Sequence, residues 1–96
     1  MCKFQELTNS FNYDSAMLAV RNNRLLVPQE QWDKYNILTD RYLKSFRRCQ
    51  ADFKTWALFS GFSSEERYKE SYIKSKKELS KIVEQLNIYF DEYVNI

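Results

Sequence analysis

Between residues 32 and 56 the apolar positions advance in alternating steps of three and four. Trp32, Tyr35, Tyr42, Phe46, Cys49, Phe53 and Trp56 keep this spacing, and Thr39 is the one break. A second series, Tyr68, Tyr72, Leu79, Ile82, Leu86, Tyr89, Tyr93 and Ile96, repeats it with Ser75 as the exception. These are a and d positions of heptads sustained over about four repeats each, the pattern of coiled-coil helices packed along a seam. At ~1.5 Å per residue each helix would be ~45 Å long.

Two residues set the boundaries. Pro28 suits the first turn of a helix, where its missing N–H costs nothing. Gly61 suits the position just after a helix end. Ser63 and Glu66 follow with the spacing of a capping box, and Glu65 and Glu66 complement the macrodipole of the next helix. The predicted fold is all-α: a helix over about 28–60, a tight turn near 61–62, and a helix over about 63–95. A turn this short makes a long antiparallel helical hairpin.

Residues 1–27 read as an N-terminal helix and connector laid on that hairpin, and 1–96 as a single domain. Phe4, Leu7, Phe11 and Leu18 mark a helical face, extended by Ala16, Met17 and Val20. Asn12 or Asp14 is the candidate cap, and Asn22-Asn23 the expected end. Leu25-Leu26-Val27 leads into Pro28 as an extended connector, because a residue before proline is biased away from helix.

The seam is aromatic where coiled coils use Leu and Ile. Tyr35, Tyr42, Tyr68, Tyr72, Tyr89 and Tyr93 lie on it, and each hydroxyl needs a partner or a route to water. Further apolar residues face away from the stripe: Ile37 and Leu58 on the first long helix, and Ile73, Ile88, Phe90 and Val94 on the second. One hairpin face cannot bury both sets. The surplus predicts a homodimer, a higher oligomeric bundle or a protein partner.

Composition narrows the chemistry. The 96 residues include one Gly, one Pro and no His, against seven Tyr, seven Phe and two Trp. So few turn formers argue against a sandwich of many short strands. Without histidine there is no Ser-His-Asp triad, no Cys-His dyad and no His-bearing zinc site. One glycine cannot build a phosphate-binding loop. Cys2 and Cys49 are too few for a disulfide framework and read as reduced thiols, with Cys49 in the core. Asp40, Asp52 and Glu84 read as solvated charge. We therefore expect no enzyme, catalytic residue, metal or cofactor. The longest apolar run, Trp56–Phe59, is far short of the ~20 residues that span a bilayer. No signal peptide is evident, so the expectation is a cytoplasmic protein without a membrane partner.

The net charge of +2 hides a segregation. Window 41–54 carries Arg41, Lys44, Arg47, Arg48 and Lys54 against Asp52, a net +4. Window 67–81 is also +4, and a hairpin turning near 61 sets the two side by side. Windows 28–40 and 82–96 are −2 and −3 and pair at the open end. Arg67, Lys74 and Lys81 recur every seven residues as a stripe on one outer face. Helical pairs such as Glu70–Lys74 would turn that stripe into ordinary solvated surface.

These features predict a non-enzymatic protein–protein interaction module. It would act as a small inhibitor, immunity factor, antitoxin or adaptor, of the kind phages and mobile elements encode. Arg41, Arg48, Arg67, Lys74 and Lys81 are the candidate contacts for an anionic partner. Trp56, Leu58, Phe59 and Phe62 are candidate anchors if the tip enters a pocket; otherwise they close the turn as its own aromatic cluster. Two alternatives are a nucleic-acid binder using the basic belt over 41–81, and an oligomeric binder of a phosphorylated small ligand.

Overall fold

The computed structural model describes residues 12–93, and these form three α-helices and one 3-10 turn. Helix α1 spans Tyr13–Arg24, α2 spans Trp32–Leu58 and α3 spans Glu65–Tyr93. The 3-10 turn, Gln29–Gln31, leads directly into α2. The molecule is a rod, 51 Å long and 20 Å across.

Helices α2 and α3 form the predicted antiparallel hairpin. Asp52 meets Ser75, Phe53 meets Tyr72, Phe59 meets Tyr68 and Tyr35 meets Phe90, which centres the fold-back between residues 62 and 64. Tyr35, Tyr42, Phe46 and Cys49 of α2 are fully buried against Leu79, Val83 and Leu86 of α3. Both breaks in the heptad series stay on the seam and are buried. Thr39 Oγ1 donates to the Tyr35 carbonyl at 2.9 Å, and Ser75 Oγ donates to Asp52 Oδ2. Each hydroxyl thus replaces its lost water with a protein acceptor. The seam tyrosines meet the same demand across helices. Tyr35 Oη donates to the Val20 carbonyl at 2.6 Å, and Tyr89 Oη to the Gln31 carbonyl at 3.3 Å.

Phe90 departs from the expectation that it faces away from the seam. It is only 9% exposed and lies edge-on to Tyr35, 5.8 Å between ring centroids. A straight helix drifts ~20° per heptad against a strict 3.5-residue repeat. Late in α3 this drift turns Val83 and Phe90 inward.

Helix α1 begins where Asn12 Oδ1 accepts the Ser15 N–H at 3.0 Å. It runs antiparallel to α2, with Tyr13 on Phe46 and the Val20 carbonyl beside Tyr35. Ala16 and Val20 are buried, but Leu18, expected on the packed face, is 58% exposed. The helix continues through Asn22-Asn23 to Arg24, where Arg21 and Arg24 complement the dipole of its last turn. Pro28 stands just outside the helical region in an extended conformation, and its carbonyl accepts the Gln31 N–H at 2.9 Å. Trp32 Nε1 donates to the Val27 carbonyl at 2.9 Å and ties the connector to α2. The expectations for Cys2, Phe4, Leu7, Phe11, Val94 and Ile96, and for the Tyr93 side chain, lie outside the described residues.

The turn is longer than predicted. Helix α2 ends at Leu58 rather than 60, and α3 starts at Glu65 rather than 63. Gly61 adopts φ 90°, the left-handed conformation glycine reaches without steric cost. The Ser63–Glu66 capping box does not form. Glu65 reaches back instead, its Oε1 accepting the Gly61 N–H at 2.7 Å. With the helix starting at Glu65, the third helical position, from which a capping-box carboxylate reaches back, falls on Arg67 rather than Glu66.

Candidate functional site

Heptad position decides which side of the hairpin each charge occupies. On a helix whose a and d residues face the seam, positions e and b lie to one side and g and c to the other. Helix α1 covers the e/b side of α2: the Arg47 guanidinium, at b, sits 4.8 Å from the Tyr13 ring centroid as a cation–π contact. Arg41 and Arg48 occupy c positions, on the opposite side. With Lys44, Ser45, Glu78 and Ile82 they line a shallow groove between α2 and α3.

Lys74 and Lys81 flank this groove. They stand four residues before and three after Glu78, the spacing of neighbours on one helical face. The register set by Asp52–Ser75 and Tyr35–Phe90 puts Arg48 level with Glu78 and Arg41 level with Gln85. Arg41 and Arg48 on α2, and Lys74 and Lys81 on α3, instead form two rows whose members stand one heptad, ~10.5 Å, apart along the axis. Arg67 continues the α3 row towards the turn. All five predicted basic contacts are exposed and share the side that α1 leaves uncovered.

The pairs expected to neutralise this face are absent. Among the described residues, Lys74 forms no ion pair with Glu70 or Glu78. The ion pair at the groove is Lys44–Asp40, 3.0 Å apart and exposed at both ends, a geometry worth little in water. Asp52, expected to be solvated, is half-buried and held by Ser75.

The tip presents a second surface. Trp56 stacks on Tyr72 with centroids 5.5 Å apart, and Phe59 stacks on Tyr68 at 4.7 Å. Phe53 lies edge-on to Trp56, and Phe62 edge-on to Phe59. Trp56 and Phe59 therefore close the turn as part of its own aromatic cluster. Leu58 and Phe62 project from it, 75% and 64% exposed.

Beneath the groove, Cys49 is buried next to the Asp52–Ser75 pair. Burial pushes its thiol pKa up; the Lys76 ammonium opposes this and the Asp52 carboxylate adds to it. The Tyr72 hydroxyl is raised as well, by burial and then by Cys49. A raised pKa makes Cys49 a poor nucleophile and a good core residue. Among the described residues no three His, Cys, Asp or Glu side chains gather as a metal ion would require. Nor is any helix long and apolar enough to cross a membrane.

Sequence reasoning missed four groove residues: Lys44, Ser45, Glu78 and Ile82. Assigning e and g sides to each heptad would have placed Ser45 and Glu78 beside Arg41 and Lys81. Choosing the free side also required knowing that α1 sits on Arg47. No protein-family model, no curated protein and no solved structure matches this chain.

Proposed function

We propose that this chain is a non-enzymatic docking module that binds an acidic segment of a partner protein through the α1-free face of its hairpin. It would serve as a small inhibitor, immunity factor or adaptor. One observation carries the reading: Arg41, Lys44 and Arg48 line one groove, Lys74 and Lys81 are exposed on the same side of the hairpin, and the carboxylates nearest to them leave that charge largely uncompensated. Arginine in particular is enriched at protein interfaces and prominent among their energetic anchors. Concentrated like charge on a folded surface steers a partner of opposite sign.

Zero-length carboxyl-to-amine crosslinking in lysate of cells expressing the chain tests this reading. Covalent links from Lys44, Lys74 and Lys81 to acidic peptides of another protein are expected. They should disappear in the exposed double variant Arg41→Glu/Arg48→Glu. Links spread evenly over all lysines, or capture of nucleic acid alone under ultraviolet light, would overturn it.

The surplus apolar side chains support a second element of the reading, self-association. Leu58 and Phe62 are exposed at the tip, and Leu25, Ile37 and Ile88 towards the open end. Light scattering coupled to size exclusion reads this directly. A particle of twice the chain mass is expected, and a strict monomer at high concentration removes the dimer.

A further inference from the structure

We infer that the occupant of the groove between α2 and α3 is an amphipathic α-helix of the partner, with carboxylates recurring every seven residues and its axis along the hairpin. This rests on the docking reading above and specifies its ligand.

Three features of the groove select a helix. First, the hairpin already takes one on its other side. Helix α1 lies along α2 there through Ala16 and Val20, with Tyr35 bridging to its backbone. The groove opposite is more charged, but small Ser45 and half-buried Ile82 among its lining residues leave room for a close helical approach. A partner helix would complete a bundle around the same seam.

Second, Arg41 and Arg48 on α2, and Lys74 and Lys81 on α3, are each spaced one heptad apart. A helix repeats its flanking positions at that same interval, so Glu or Asp at successive heptads reaches successive cations of a row. Glu78 lines the groove alongside Arg41 and Arg48. A ligand with discrete, separated charges tolerates this carboxylate, and can place a cation on it. A continuous polyanion such as duplex DNA, with a charge every ~1.7 Å of axis, cannot avoid it.

Third, the groove is walled by side chains and offers no strand edge. An extended peptide would bring unpaired backbone groups to it, whereas a helix arrives with its backbone bonds already made. Nor does the groove expose a ring for base stacking. Trp56 and Tyr68 are engaged at the tip, on Tyr72 and Phe59.

Fluorescence anisotropy with the full chain at ~100 mM salt tests the inference, using four labelled probes. The first is a 21-residue amphipathic peptide with Leu and Ile at a and d and Glu at the flanking heptad positions. The second carries Lys in place of Glu. The third is the acidic peptide broken by two prolines, and the fourth a 20-nucleotide single strand. The acidic helix is expected to bind, and the other three at least tenfold more weakly. Arg48→Glu/Lys74→Glu should lose the acidic helix at least tenfold, and Arg41→Glu/Arg48→Glu/Lys74→Glu/Lys81→Glu should gain the Lys-bearing helix. All these positions are exposed, and circular dichroism confirms that the variants remain helical. Equal binding of the proline-broken peptide or the oligonucleotide overturns the helical occupant, as does failure of the acidic helix to bind. The docking reading is judged separately, by the lysine crosslinks.

Discussion

Asp52 and Ser75 form a polar contact between the two long helices, beside a seam filled mostly with rings and aliphatic chains. Ser75 is buried and Asp52 half-buried, so each depends on the other for what water would have supplied. Asp52→Leu alone, or Ser75→Leu alone, is expected to cost ~1–3 kcal/mol by orphaning its partner. Changing both to Leu should recover most of that loss, since a buried polar pair often exchanges for packed apolar residues at little cost. Urea denaturation of the three variants closes the cycle, and additive losses would mean that the pair is not coupled. The neighbouring thiol gives a pH signature. Burial holds the Cys49 proton more tightly in the folded chain than in the unfolded one. Stability from this source is complete below the ordinary thiol value, ~8.5, and is lost as pH rises past it. Tyr72 acts in the same sense from ~10. The urea midpoint should therefore fall between pH 8 and 10.5, and fall less in Cys49→Ala. Equal slopes for the two proteins would remove Cys49 as the cause.

At the scale of elements, the turn separates what a sequence states openly from what it conceals. Gly61 was legible as a break because a lone glycine in a helical pattern has one obvious use. The starting point of α3 was not. Ser63 and Ser64 are near-equivalent candidate N-caps, and the later start goes with the tertiary stacking of Phe59 on Tyr68. The seam was legible because its period is enforced over every turn of both helices. Phe90 was misjudged because a strict heptad count ignores the slow rotation of a straight helix. The free side of the hairpin was invisible for a different reason: it is defined by where α1 does not pack, and that choice is made by the whole core. The turn itself yields a clean measurement. A Cβ on Gly61 meets nothing within 4 Å, so Gly61→Ala probes the left-handed backbone alone. It should cost ~1 kcal/mol, and Glu65→Ala, which removes a charge-assisted bond to the same N–H, ~1–2 kcal/mol. Thermal unfolding reads both. A neutral Gly61→Ala would mean the turn relaxes to negative φ.

The whole molecule concentrates like charge where folding alone gains nothing from it. Residues 41–81 carry a net +6, and the hairpin sets the Arg41–Arg48 row of α2 and the Lys74–Lys81 row of α3, all exposed, on one side. Neighbouring like charges on helices destabilise by ~0.2–0.5 kcal/mol per pair. A surface serving only solubility would intersperse both signs; Glu70 and Glu78 are available, yet neither pairs with Lys74. Arg48 has Lys44 four residues before it and Lys74 has Lys77 three residues after it, so neutralising both should relieve like-charge pairs in the folded state. Arg48→Gln/Lys74→Gln is expected to raise Tm by ~1–4 °C, from ~4–8 °C per kcal/mol for a domain of this size. The same variant should lose binding of the acidic helix. Opposite signs for stability and binding are the mark of residues placed for a ligand rather than for the fold. A lowered Tm would instead make these side chains part of the scaffold, their aliphatic stems packing along the helices. Differential scanning calorimetry at ~50 mM and ~500 mM salt separates the two cases. A Tm gain from relieved repulsion shrinks as screening shortens from a Debye length of more than ~10 Å towards ~4 Å, whereas a packing loss is the same at both.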